Sequence, residues 1–447
     1  MAHFPATFLF GTATSATQIE GGCTTSDWFE FARQPGHIKG GDRPDVACDG
    51  WRRWEGDVAL QRSLGLGAYR MSIEWARLEP REGALDRSVL DRYREMLGAL
   101  RDARIEPMVT LHHFTLPTWL AARGGILSDG FAERFARFAR EVLGALGDVC
   151  RRWVTVNEPN VLAAQAYLLG GWPPATRSPV HAVLAHHRLL EAHVAAYRAI
   201  KDARGDAAEV GVAHHLRVAQ PERPGSLLDR AAARTFARVF NEAFAAATCE
   251  GRMYGPIDAL PGRRGGFRVA DARGTQDFFG INYYSRDLVR FAAGRPQELF
   301  CSRRVPPGAE VSDLGWEIYP AGLGQLVRTW ARRSGVPVYI TENGIADAAD
   351  AKRSSFLVAH LGELAGAIAE GFDVRGYFHW SLMDNFEWAE GYAPRFGLVE
   401  IDYATQERRA RPSAHLYANI ARTHTVPIPS AETDDTRSLR EGSRSAI

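Results

Sequence analysis

The stretch Val338-Tyr339-Ile340-Thr341-Glu342-Asn343-Gly344 decides how this chain is read. Its first four residues are β-branched or aromatic, the composition of a short buried strand, and Asn-Gly then closes it with a tight turn. Glu342 is therefore expected at the last strand position. An unpaired carboxylate inside an apolar barrel costs roughly several kcal/mol, so a charge placed there needs a use.

A second stretch follows the same grammar. Arg152-Trp153-Val154-Thr155-Val156 reads as a strand, and Asn157-Glu158-Pro159 ends it. Two strand-terminal glutamates face one another only where many parallel strands deliver their carboxyl ends to a common rim, as in a (β/α)8 barrel. Together, two such acids suit the splitting of a glycosidic bond. Taken singly, either one equally well caps the helix that follows.

Eight short apolar runs support the barrel: residues 8–13, 68–73, 107–111, 153–156, 210–214, 277–283, 336–341 and 374–380. Between them, apolar residues at three- and four-residue spacing predict helices at 90–103, 130–146, 180–203, 226–248, 322–334 and 356–370. Strands alternating with helices imply parallel βα units, and eight of them imply closure. The long connections 23–49 and 285–315 are expected on the mouth side, and 261–274, rich in Gly and Arg, as a flexible surface loop. No fixed-period repeat points to a solenoid.

The 447 residues suit one enlarged catalytic domain over 1–429, with a polar tail over 430–447 that reads as disordered. Lys and Arg (54) balance Asp and Glu (53), so charge gives no reason to expect nucleic acid or a membrane surface as partner. No stretch approaches a membrane span, and the first residues lack a basic, apolar leader, so a cytoplasmic protein is expected. Five scattered cysteines without a CxxC pair read as free thiols, and no ligand cluster suggests a metal or other cofactor.

Polar and aromatic residues end nearly every predicted strand. The combination of Phe8-Leu-Phe-Gly-Thr-Ala-Thr-Ser-Ala-Thr-Gln18, Asn157-Glu158-Pro159, Ile340-Thr341-Glu342-Asn343-Gly344 and the run from Trp380 to Trp388, continuing through Gly391-Tyr392 and Arg395-Phe396-Gly397-Leu398, closely resembles the glycoside hydrolase family 1 β-glycosidases. The resemblance covers residues 8–416. It implies a retaining double displacement with Glu342 as nucleophile and Glu158 as general acid/base, which requires carboxyl groups about 5 to 5.5 Å apart.

The resemblance also implies that Arg70 and Tyr284 lie beside Glu342 and favour its ionised form. The charge of Glu342 would in turn favour the protonated form of Glu158 until the sugar esterifies the nucleophile. Gln18, His113, Asn157, Glu387 and Trp388 are expected to bind sugar hydroxyls and Trp380 to lie beneath the ring. Asn282 is expected to support this shell and Phe396 to lie near the 6-position. Each has a plainer reading as a helix-start, core or packing residue when taken alone. His113 is chosen over His112 because the family histidine stands four residues before the proline, here Pro117. A cis peptide is implied between Trp380 and Ser381.

Departures from the family pattern are Phe114 where Trp is frequent, Thr115 where Asp is frequent and Val156 for Phe, which predict a slightly roomier pocket floor. Glu74 is variable in the family and receives no role. The expected substrate is a small β-glucoside, with β-galactosides and β-fucosides as further candidates. A transglycosidase or tailoring enzyme for a specialised glycoside would use the same residues. A 6-phospho-β-glycosidase is disfavoured because Glu387 would repel the phosphate, and a non-catalytic sugar-binding barrel because both glutamates are present.

Overall fold

A computed structural model describes residues 1–254 and 268–427. The tail 430–447 and the 261–267 part of the loop expected at 261–274 lie outside the described residues; Val269–Ala272 within that loop forms a 3-10 turn.

Eight parallel strands close into a barrel. They are β1 (Leu9–Ala13), β2 (Ala68–Ser72), β3 (Glu106–His112), β4 (Arg152–Asn157), β5 (Glu209–Pro221), β6 (Phe278–Phe291), β7 (Val338–Asn343) and β8 (Val374–Trp380). Each pairs with its sequence neighbour, β8 pairs with β1, and every one of these pairings is parallel. Ala13, Ala68, Met108, Val154, Ala213, Phe278, Tyr339 and Phe378, one from each strand, fill the interior. A larger apolar layer joins the outer strand faces to the helices. At the amino ends, Arg152 closes the floor by donating to the Tyr339 hydroxyl at 3.0 Å and pairing with Glu106 and Glu209.

Five expected helices are present, at Arg87–Asp102, Phe131–Leu146, Pro179–Arg204, Pro320–Ser334 and Arg353–Ala369. The sixth, expected unbroken over 226–248, is interrupted by a π-helical turn at Arg238–Glu242 between Leu227–Ala237 and Ala243–Glu250. Helix Gly50–Ser63 was not foreseen, because its arginines and acids leave no clear apolar stripe.

The connection expected at 285–315 needs correction. β6 continues to Phe291, pairs onward with β5, and is joined by the antiparallel strand Cys301–Arg304. Its polar letters mislead because they are satisfied in pairs: Arg286 binds Glu317 through two bonds of 2.7 Å, and Asp287 binds Arg217. The strand stays in place because Val289 and Cys301 are buried against Phe236. All five cysteines are free thiols, and no helix among the described residues is long and apolar enough to cross a membrane.

Candidate active site

Glu342 lies one residue before the end of β7, since the ladder runs on to Asn343. Gly344 then passes so close to β8 that a Cβ on it would stand 1.7 Å from the Trp380 carbonyl oxygen, so no other residue fits this turn. Arg70, on β2 and wholly buried, donates to Glu342 Oε1 at 2.6 Å, to the Thr341 carbonyl at 3.1 Å, to Thr110 at 3.1 Å and to Asn157 Oδ1 at 2.6 Å. Tyr284, from β6, donates to Glu342 Oε2 at 2.6 Å. Burial pushes the Glu342 carboxyl up to about 7, and the nearby charge of Glu158 adds to this; Arg70 and the Tyr284 hydroxyl pull it back. The two expected partners are thus present, but they work against a larger cost of desolvation.

Glu158 follows β4 directly. Its backbone is left-handed (φ 45°), its N–H bonds the Ala213 carbonyl at 2.8 Å, and Pro159 opens a short helix at once. A non-glycine residue in this region is strained by roughly 1 to 2 kcal/mol, and the bonds around it hold the turn. Its Oε1 accepts from Asn282 Nδ2 and is hydrogen-bonded to His215 Nδ1, both at 2.9 Å.

Both acids line one cavity of about 410 Å³, within the range of small-molecule sites. His113, Asn157, Tyr284, Trp380, Glu387, Trp388 and Phe396 line it with them. His113 stacks near Trp380 (5.9 Å, 15°) and Trp388 (6.0 Å, 19°), and its Nε2 accepts from Asn157 at 3.3 Å. Burial, then Arg70, hold its imidazole far below its usual titration, so it remains neutral. His112, the last residue of β3, packs on Phe135. The Trp380–Ser381 peptide is cis, as the resemblance implied. Glu387 accepts from Trp380, and burial, with the charges of Glu342 and Glu158, raises it to about 8. Phe396 packs against Tyr284 and Trp316.

Three expected residues stand behind the wall. Arg70 and Asn282 brace the acids, and Gln18 donates to Asn385 at 2.9 Å, to the Phe386 carbonyl at 3.0 Å and to Glu387 at 3.4 Å, fixing the loop that carries Glu387. Thr115 and Thr17 donate to Glu74, a buried brace. The space beside Phe114 is taken by Trp172, with ring centres 4.8 Å apart.

A family model described as glycosyl hydrolase family 1 matches residues 1–426. The chain belongs to this family. The family 1 chain is 35% identical to beta-glucosidase A of Thermotoga maritima, over 94% of this chain and 98% of that one, and 31% identical to a beta-galactosidase of Pyrococcus woesei, over 91% and 94%. A solved family 1 b-glucosidase from Thermotoga maritima superposes with a TM-score of 0.89 at 33% identity, covering 96% of this chain and 99% of that chain. The (β/α)8 barrel of a glycosidase is therefore what the sequence encodes.

In this family 1 glycosidase the outer wall of the cavity includes residues that sequence patterns did not single out: Trp172, His215, Phe240, Arg303 and Trp316. Trp172 follows Gly170-Gly171 and packs against Trp28, Phe114 and Trp388. The two π-helical turns, Ala163–Leu168 and Arg238–Glu242, both border this outer wall through Ala164, Gln165 and Phe240. Such turns recur at functional sites.

Proposed function

We propose that the protein is a retaining, exo-acting β-glycosidase that cleaves β-glucosides, with β-galactosides and β-fucosides as further substrates. The observation that carries this reading is the pair of differently held carboxyls on one cavity. Glu342 has a cation and a phenol on its two oxygens, as a nucleophile requires, while Glu158 has an amide and an imidazole nitrogen on one oxygen and, among the described residues, no hydrogen-bond partner on the other, as a proton donor requires.

In the first step Glu342 attacks the anomeric carbon while Glu158 protonates the departing oxygen. In the second step Glu158 takes a proton from water, the water oxygen attacks, and Glu342 leaves. Trp380 supplies a face for the apolar side of the sugar, and His113, Asn157, Glu387 and Trp388 supply polar groups for its hydroxyls. The glucosidase and galactosidase relatives support the choice of sugars.

Azide tests the roles. Glu342→Gly should lose turnover of aryl β-glycosides and regain it with azide to give the α-configured glycosyl azide. Glu158→Ala should retain the first step for good leaving groups and give β-configured azide product. Exchange of the two stereochemical outcomes overturns the assignment.

A further inference from the structure

Two histidines stand together on β5 and face opposite ways. His214 stacks on Phe279 at 4.4 Å in the layer between strand and helices. His215 lines the catalytic cavity, with its ring stacked at 5.8 Å on Tyr284 and set edgewise to Phe240. Its backbone carbonyl accepts from Asn160 Nδ2 at 2.8 Å, so both ends of the residue are fixed.

The hydrogens in this cluster follow from one residue that only donates. Arg70 donates to Asn157, so the Asn157 atom there is the carbonyl oxygen. That oxygen also receives Asn282, at 3.1 Å, so the Asn282 atom is its amide nitrogen; Thr341, donating to Asn282 Oδ1 at 2.6 Å, agrees. The same nitrogen donates to Glu158 Oε1. With His215 Nδ1–H as the second donor, both lone pairs of Oε1 are filled. Among the described residues none hydrogen-bonds Glu158 Oε2.

We propose that His215 is a positioning residue for proton transfer at Glu158: its Nδ1–H, together with Asn282, occupies Oε1 and so keeps the transferable proton on Oε2. This rests on Glu158 being the acid/base. As the glycosidic bond breaks, its electron pair goes to the leaving oxygen and the Oε2 proton follows. The charge left on the carboxylate is met by two N–H groups already in place. In the second step the carboxylate takes a proton back from water as the water oxygen bonds to the anomeric carbon and the Glu342 ester bond breaks.

The step that needs this proton depends on the leaving group, so the test compares two substrates on purified full-length protein. In His215→Phe, kcat/KM for an unactivated alkyl β-glucoside should fall about 30-fold while that for 2,4-dinitrophenyl β-glucoside stays within about threefold. His215→Asn, which returns an N–H donor, should recover to within about fivefold of the parent. His215→Ala, whose lost ring borders open cavity, carries the same expectation as the Phe variant should the latter not fold. An equal fall for both substrates, or no change for either, overturns the proposal. Glu158→Ala measured beside them separates the two readings: if it loses the alkyl substrate selectively and the His215 variants do not, only the positioning role fails. If Glu158→Ala itself shows no leaving-group dependence, the acid/base assignment fails.

Discussion

Tyr284 hands its phenolic hydrogen to Glu342 Oε2 at 2.6 Å, while its ring stacks on the histidine that holds Glu158. One side chain therefore touches the surroundings of both proposed catalytic acids. Burial holds Glu342 up at about 7, and the tyrosine bond is among the contributions that lower it. In Tyr284→Phe that contribution is gone, the carboxyl rises further, and a smaller fraction is ionised at any given acidic pH. The acid limb of kcat/KM should therefore move to higher pH by roughly one unit. An acid limb left where it was, in a folded variant, would separate Tyr284 from the ionisation of the nucleophile.

Glu387 should trade stability for binding. Its carboxyl titrates near 8 in the folded chain, against 4.5 for an ordinary glutamate, because burial and two neighbouring acids oppose its charge. The folded state then binds more protons than the unfolded one between those values, so the contribution of this group to stability is lost as pH rises through that window. Glu387→Gln should raise the melting temperature more at pH 8 than at pH 5, by the equivalent of about 1 to 2 kcal/mol. The same variant should weaken turnover of aryl β-glucosides. Equal Tm changes at both pH values would count against the assignment.

The same carboxylate predicts discrimination. A substrate phosphorylated at the 6-position brings a dianion into a cavity lined by four glutamates, Glu158, Glu342, Glu387 and Glu390. Turnover of 6-phospho-aryl-β-glucoside should be slower than that of the plain aryl glucoside by at least about 100-fold. Ranking the two by kcat/KM decides it, and the reverse order would replace the proposed substrate class.

Gly344→Ala should be far more damaging than a single added methyl suggests. With the Trp380 carbonyl 1.7 Å from the new Cβ, either β7 or β8 must shift at its catalytic end. Loss of stability of about 3 kcal/mol or more, or folded protein with activity lost, is expected. Near-parental activity and melting temperature would contradict the packing described.

Much of this was legible because strand ends announce themselves: β-branched runs followed by Asn-Gly or Asn-Glu-Pro place Glu342 and Glu158 on one rim. What escaped was set by contacts across the chain. His215 sits in a strand where two adjacent histidines look alike, and its partner Glu158 lies 57 residues away. Gln18 is expected at the sugar, and the bond of its amide to a loop 367 residues distant could not be read from its neighbours in sequence. The charges of β6 read as loop until Arg217 and Glu317 are seen to neutralise them. A patterned sequence reports which way a residue faces more readily than whom it meets.

The contact between Gly344 and Trp380 joins the proposed nucleophile and the proposed sugar platform into one piece, with no slack for either to be adjusted alone. New substrate preferences are more accessible through changes at Trp172, Phe240, Arg303 and Trp316, where side chains border open space. Natural variation or engineering of the leaving group therefore has room at the entrance, whereas the floor beneath the sugar admits little revision.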